Sequence, residues 1–206
     1  MNQESSKVSD LSIGNLRIAL SSPGPRPETT DRISLWWGVT TSALALARFI
    51  ESDFNVNGMN LLELGSGVGL TGMVAAIKGA KVTFTDYVPE ALQTAKLNAI
   101  ANGVPEKNVE FKILDWETSD PPGQFDVIVG SEIVYEYFFH GCLTELMLSA
   151  LQDDGVILIA DRPRMVVDRF IGRLIRKGCI CRKHSCRVDD YGFPEQDVTI
   201  FVIRKP

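Results

Sequence analysis

Four short stretches hold the residues whose types and spacing could do chemistry. Glu63-x-Gly65-Ser66-Gly67-x-Gly69 begins at the end of the apolar run Leu61 to Leu64, Asp86-Tyr87 follows Lys81 to Thr85, Asp115-Trp116 follows Val109 to Leu114, and Ser131-Glu132 follows Phe125 to Gly130. Glycines between a strand and a helix let the backbone approach a nucleotide-type ligand beside the helix N-terminus. An acid about 20 residues past such a turn suits the two hydroxyls of a ribose, which is where Asp86 stands. A carboxylate at Asp115 can accept from the exocyclic amine of adenine, and the indole of Trp116 offers the ring a flat apolar surface. Each has a plainer reading as well: Asp86 as a helix N-terminal cap, Trp116 as core filler, Glu132 as a carboxylate at a helix start.

The glycines read in two registers. Gly67, Gly69 and Gly72 satisfy the dinucleotide pattern G-x-G-x-x-G. That pattern wants its first glycine directly after the strand, and a strand ending at Leu64 stops two residues short of Gly67. The register Glu63-x-Gly65-x-Gly67-x-Gly69 fits better.

The elements that must position these residues alternate. Residues 1–12 read as a disordered tail, Asn15 to Leu20 as a short strand, and Pro23 to Arg32 as a loop. After Trp36-Trp37-Gly38, Thr40 or Thr41 caps a helix to about Ile50 carrying Ala43, Leu44, Ala47 and Ile50. Leu70, Met73, Val74 and Ile77 keep helical spacing, and Gly79 stops that helix. Another helix spans about Pro89 to Asn102. Phe125 to Gly130 is almost continuously apolar, the mark of a strand buried on both faces. A helix with Phe139, Leu143, Leu146, Met147 and Ala150 follows, then a strand at Val156 to Ala160 and a helix made by Val167, Phe170, Ile171, Leu174 and Ile175. The last two strands, about Cys179 to Val188 and Asp197 to Arg204, meet at Tyr191-Gly192-Phe193-Pro194 with no helix between them. The expectation is a single α/β domain over residues 13–206, with an N-terminal extension (13–58) and a C-terminal hairpin (179–204). Its mostly parallel seven-stranded sheet has helices on both faces, and the hairpin inserts an antiparallel strand to give the order 3-2-1-4-5-7-6. Ligands of such sheets bind outside the carboxyl ends of the strands, where the four stretches fall.

A chain of 206 residues suits one domain with a full core, and 45% hydrophobic with 23% charged residues is ordinary for a soluble protein. A net charge of −5 disfavours nucleic acid and anionic membranes as partners. No segment has the pattern of a leader or the length of a membrane span, and four cysteines suit a reducing compartment; a cytoplasmic monomer is expected.

The sequence resembles the seven-strand S-adenosylmethionine-dependent methyltransferases of class I, Rossmann-like fold. Within them it looks most like the protein-lysine methyltransferase branch that includes the valosin-containing-protein lysine methyltransferase group. The matching features are Trp37-Gly38, Glu63-x-Gly65-x-Gly67-x-Gly69, Asp86, Leu114-Asp115-Trp116 and the [DE]-x-x-Y element Glu132-Ile133-Val134-Tyr135, spread over roughly residues 33 to 160. The resemblance implies S-adenosyl-L-methionine as cofactor. It implies Trp37 and Glu63 near the methionine portion, Gly65, Ser66, Gly67 and Gly69 in the turn beneath it, and Asp86 with Tyr87 at the ribose. Asp115 and Trp116 then take the adenine, Ser131 stands at the tip of the fourth strand, and Glu132 and Tyr135 face the target amine as catalytic residues. Many members carry Asp where this chain has Glu132, one methylene shorter.

A lysine with pKa about 10.4 is charged at pH 7, and neutralising it costs about 4 to 5 kcal/mol. A cationic sulfonium nearby lowers that pKa, whereas Glu132 raises proton affinity, so its useful role is to orient the amine, with Tyr135 as a second polar contact or aromatic wall. The implied substrate is a protein lysine; a small amine or heterocycle, or a catalytically inactive cofactor-binding module working through partners, are the alternatives. An oxidoreductase lacks a substrate domain here, and the Asn/Asp-Pro-Pro-Tyr element of base-methylating enzymes is absent.

Other groups carry less. Cys179-Ile180-Cys181 with His184 and Cys186 lacks the spacing of a zinc site, so no metal is expected. Asp161-Arg162-Pro163-Arg164 either meets an acidic part of a substrate or is a solvated loop. His140 has no visible partner.

Overall fold

The computed structural model describes residues 7–22, 38–189 and 195–205. The Pro23 to Arg32 loop, Trp36, Trp37 and the Tyr191 to Pro194 turn lie outside the described residues.

Strand β3 (Asn60–Leu64) is third across a seven-stranded sheet and runs parallel to β4 (Lys81–Asp86) on one side and β6 (Phe125–Ser131) on the other. Outward from β4 comes β5 (Val109–Ile113); outward from β6 come β7 (Leu151–Asp161), β9 (Gln196–Arg204) and the edge strand β8 (Ile180–Val188). The order β5-β4-β3-β6-β7-β9-β8 is the expected 3-2-1-4-5-7-6 counted over the sheet's own strands, and β9 is antiparallel to both its neighbours. Alternating side chains split the core in two. Leu61, Val127, Val129 and Leu158 pack under helices α1 (Thr41–Ser52), α2 (Leu70–Ile77) and α3 (Pro89–Ala101). Leu62, Leu64, Ile128 and Ile157 pack under α4 (His140–Ala150) and α5 (Met165–Arg176). The same alternation turns Glu63 toward α2.

Two local expectations are corrected. Within the expected tail of residues 1–12, residues 7–12 belong to β1 (Lys7–Ile13), which turns at Gly14 (φ 56°) and pairs antiparallel with β2 (Leu16–Ser22). Too short to stand alone, the hairpin is held because Leu11, Ile13, Ile18 and Leu20 bury against the helices and α3 hydrogen-bonds its backbone. His140 does have partners: its Nε2 lies 3.1 Å from the Val134 carbonyl oxygen, and its ring packs edge-on against Tyr137 and Phe170.

The capping expectation holds at Thr40, whose hydroxyl accepts from the Ala43 N–H at 3.1 Å. Among the described residues no helix is long and apolar enough to cross a membrane.

Candidate active site

The carboxyl tips of β3, β4, β5 and β6 open into one cleft of about 500 Å3, closed on its near side by Gly38 to Thr40 and Ala43 at the start of α1. Glu63, Gly65, Ser66, Gly67, Asp86, Tyr87, Asp115, Trp116, Ser131, Glu132 and Tyr135 all line it. Gly69 does not. It precedes α2 at φ 84°, and a Cβ there would stand 2.8 Å from that of Ala95, so this glycine serves the close approach of α2 to α3.

The turn after β3 is built around its two acids. Glu63 is 4% exposed and accepts at Oε2 from the Gly72 N–H (3.1 Å), where a Cβ on residue 72 would collide at 2.5 Å. Burial lifts its carboxyl to about 8; nearby Asp86 adds to this, and hydrogen bonds from Gly72 and Thr71 oppose it. Asp86 accepts from Gly67 N (2.9 Å) at one oxygen and from Val88 N (3.0 Å) at the other, so it fixes both the glycine turn and the entry to α3. Burial raises its pKa against those bonds.

At the next tip, Asp115 accepts from Glu117 N (2.9 Å), closing a local turn. That turn presents the Trp116 indole, which meets Phe139 edge-on at a centroid distance of 5.6 Å. Gly65, at φ 62°, is the floor: a Cβ there would press on Ile133 at 3.0 Å and Trp116 at 3.4 Å.

Glu132 is the one non-glycine residue among those described with positive φ (53°), so it is not a helix-start residue; a loop and a short 3-10 turn (Tyr137–Phe139) separate it from α4. Its N–H donates to the Ala160 carbonyl at 3.0 Å. Its carboxylate accepts from Ser42 Oγ at 3.0 Å and from Arg162 Nη2 at 3.2 Å. Neither Ser42 nor Arg162 is singled out by sequence as a partner of Glu132. The only trace is the position of Arg162 just past the fifth core strand. Arg164 instead pairs with Asp161, whose carboxyl burial lifts to about 6 despite Arg164, with Glu132 adding to the rise. Tyr135 is half-buried; burial, then Glu136 and Asp86, push its phenol up.

The lining has one more property. Six carboxylates, Glu63, Asp86, Asp115, Glu117, Glu132 and Glu136, face the cleft, with no lysine, arginine or histidine among the described lining residues. Ser66 Oγ is buried there without a hydrogen-bond partner among the described residues. An open glycine floor, an indole edge, an unpaired buried hydroxyl and an acidic wall fit a ligand that is part nucleoside and part cation.

A lysine methyltransferase family model matches residues 32–177. The chain is 33% identical over 174 residues to the protein N-lysine methyltransferase METTL21A of Mus musculus, covering 81% of this chain and 76% of that one. It is 36% identical over 100 residues to the mouse EEF1A lysine methyltransferase 3, covering 47% and 43%. Among solved structures, the N-methyltransferase NodS from Bradyrhizobium japonicum, in complex with S-adenosyl-L-homocysteine, superposes with a TM-score of 0.64 at 18% identity, covering 80% of this chain and 85% of that one, and so shares the fold. With the family matched from the segment before α1 through α5, and a relative above 30% identity over most of its length, this chain belongs to the lysine methyltransferase family and is an S-adenosylmethionine-dependent enzyme.

Proposed function

We propose that the cleft at the strand tips holds S-adenosylmethionine and presents it to a lysine side chain of a protein, with Glu132 and Tyr135 at the acceptor end. The observation that carries this reading is the acidic lining: the wall carries six carboxyl groups, Glu63 among them with its pKa lifted to about 8, and no lysine, arginine or histidine among the described lining residues, which suits a sulfonium and an incoming ammonium group and disfavours anionic cofactors such as dinucleotides. When bound, the cofactor supplies an electrophilic methyl on cationic sulfur.

The chain's own residues supply alignment. The carboxylate of Asp86 suits the ribose hydroxyls, Asp115 and Trp116 suit the adenine, and Gly65, Ser66 and Gly67 lie under the amino-acid portion beside Glu63. Glu132 accepts from the substrate amine and aims its lone pair. Arg162 and Ser42 hold that carboxylate in one orientation, and the guanidinium offsets the negative field that would otherwise keep the amine protonated. Tyr135 forms a wall beside it. The same reading has the enzyme working in the cytoplasm as a monomer, without nucleic acid or membrane as partner, in keeping with its net charge of −5.

The test is incubation with methyl-labelled S-adenosylmethionine and a cell lysate, followed by acid hydrolysis of labelled protein. Label recovered as N-methyllysine, and lost with Glu132→Ala, is expected. Label confined to small molecules, or undiminished by that substitution, overturns the reading.

A further inference from the structure

A second concavity, of about 750 Å3, runs down the flank between α1 and the terminal strands β8 and β9. Its floor is apolar, made by Phe49 and Phe54 with Ile180, Ile200 and Val202. Arg48 on α1, Arg182 on β8 and Arg204 on β9 line it from three different elements, and His184 packs its ring on Phe49 at 5.1 Å. Asp53 is the single carboxylate in the described lining. Arg187, also on the wall, is already taken up by Glu195 and Asp197, whereas Arg182 and Arg204 have no ion pair among the described residues.

Strand register explains the convergence. Ile180 stands opposite Arg204, Arg182 opposite Val202 and His184 opposite Ile200, so all six side chains share the α1-facing side of the pair. Lys183 points the other way, toward Asp168 and the ring of Phe201. Beyond β8 the sheet stops, leaving the outer edge of a nine-residue strand without a strand partner among the described residues. Charges on an edge strand commonly block association between sheets. That role does not account for Arg204, which lies on the inner strand, or for Arg48 on the helix, both turned onto the same apolar floor.

Helix α1 and its cap wall both concavities: Thr40, the cap, and Ala43 line the acidic cleft, and Ala45, Arg48 and Phe49 line the basic groove. We infer that the groove docks an acidic, extended segment of the protein substrate, laid along the β8 edge, while the cleft that shares α1 takes the lysine. The two fields have opposite signs, so a chain carrying a lysine and an acidic-apolar stretch is oriented before contact. Backbone pairing with β8 supplies affinity that does not depend on sequence, and alternate side chains entering the groove supply selectivity. The word substrate here rests on the lysine reading of the cleft; the binding of an acidic chain does not.

The experiment measures fluorescence anisotropy of a fluorescein-labelled peptide of alternating glutamate and leucine, titrated with the full chain. Expected are saturable binding that weakens as salt rises, and a loss of about tenfold in affinity for Arg182→Ser and for Arg204→Ser. Lys183→Ser, which removes the same charge from the opposite face, changes affinity by less than about twofold. A peptide with lysine in place of glutamate does not bind, a control that needs no variant. Absence of binding, or an equal loss with Lys183→Ser, overturns the groove as a site. In the second arm, excess acidic peptide is added to the labelling reaction with lysate and lowers methyl-lysine formation several-fold. Unchanged labelling overturns the assignment to substrate. Failure of the cleft reading shows separately, as no methyl-lysine without added peptide, because the anisotropy arm uses neither cofactor nor Glu132.

Discussion

Arg162 Nη2 lies 3.2 Å from Glu132 Oε2, and this ion pair joins the tips of two adjacent strands, β6 and β7, at the wall of the cleft. Ser42 Oγ donates to the other carboxylate oxygen from α1, so the Glu132 side chain is gripped from both sides. Arg162→Ala is expected to lower kcat by roughly 10 to 100-fold through loss of that alignment. It should also move the pH profile of kcat upward by roughly one unit, because an unbalanced carboxylate favours the protonated form of the bound amine. Arg162→Lys should restore most of the pH profile but less of kcat, since the charge returns without the planar fork. Steady-state rates across pH check this; a fall in kcat with an unmoved profile would mean that Arg162 acts only as a strut.

Glu63 makes stability fall as pH rises. Its folded pKa of about 8 lies above the unfolded value near 4.5, so the folded state binds more protons between those limits. The contribution is intact below the unfolded pKa, declines by up to about 1.4 kcal/mol per pH unit through the window, and levels off above pH 8. Glu63→Gln, which keeps an acceptor for the Gly72 N–H, should flatten that slope. Denaturant melts of both proteins at several pH values between 5 and 8 compare them directly, and parallel slopes would refute the assignment.

Two glycines of the same turn should fail differently. Gly69→Ala puts a Cβ against Ala95 at φ 84° and is expected to lower stability by about 1 to 3 kcal/mol, seen as a lower Tm. Gly65→Ala intrudes on the floor formed with Ile133 and Trp116, and should reduce the Tm shift caused by S-adenosylhomocysteine beyond any loss in the free protein. Equal effects on both readouts for both variants would contradict the division of labour.

Asn98 ties the N-terminal hairpin to the cleft. Buried on α3, it accepts at Oδ1 from Ser21 N (2.8 Å) and donates from Nδ2 to the carbonyls of Ser21 (3.0 Å) and Val68 (2.9 Å). Asn98→Ala leaves three backbone groups unpaired and is expected to destabilise by about 2 to 4 kcal/mol. Protease cleavage within β1 and β2 should accelerate in parallel, and a hairpin that stays protected would show that its apolar contacts suffice.

The limits of sequence reading follow from range. Glu63 and Asp86 were legible because a strand, a glycine turn and the acid after the next strand are set by local backbone preferences. Even there, Gly69 looked like its neighbours, and only its 2.8 Å approach to Ala95 assigns it to packing. The β1 strand carries no mark in the sequence because a seven-residue segment acquires strand character from its partner rather than from its own composition.

By itself the sequence determined the alternation of strands and helices, the sheet order, and the gathering of Glu63, Asp86, Asp115, Trp116 and Glu132 at one edge, since periodicity, turn residues and connection rules act over a few residues at a time. The tertiary structure alone decided that Glu132 is held by Ser42 and Arg162, separated from it by 90 and 30 positions. It also decided that Arg48, Arg182 and Arg204 meet over one apolar floor. Both outcomes depend on strand register: Ser131 pairs with Ala160, which brings Glu132 beside the residues after β7, and Arg182 stands across from Val202. A shift of one residue in either pairing turns each of those side chains to the opposite face.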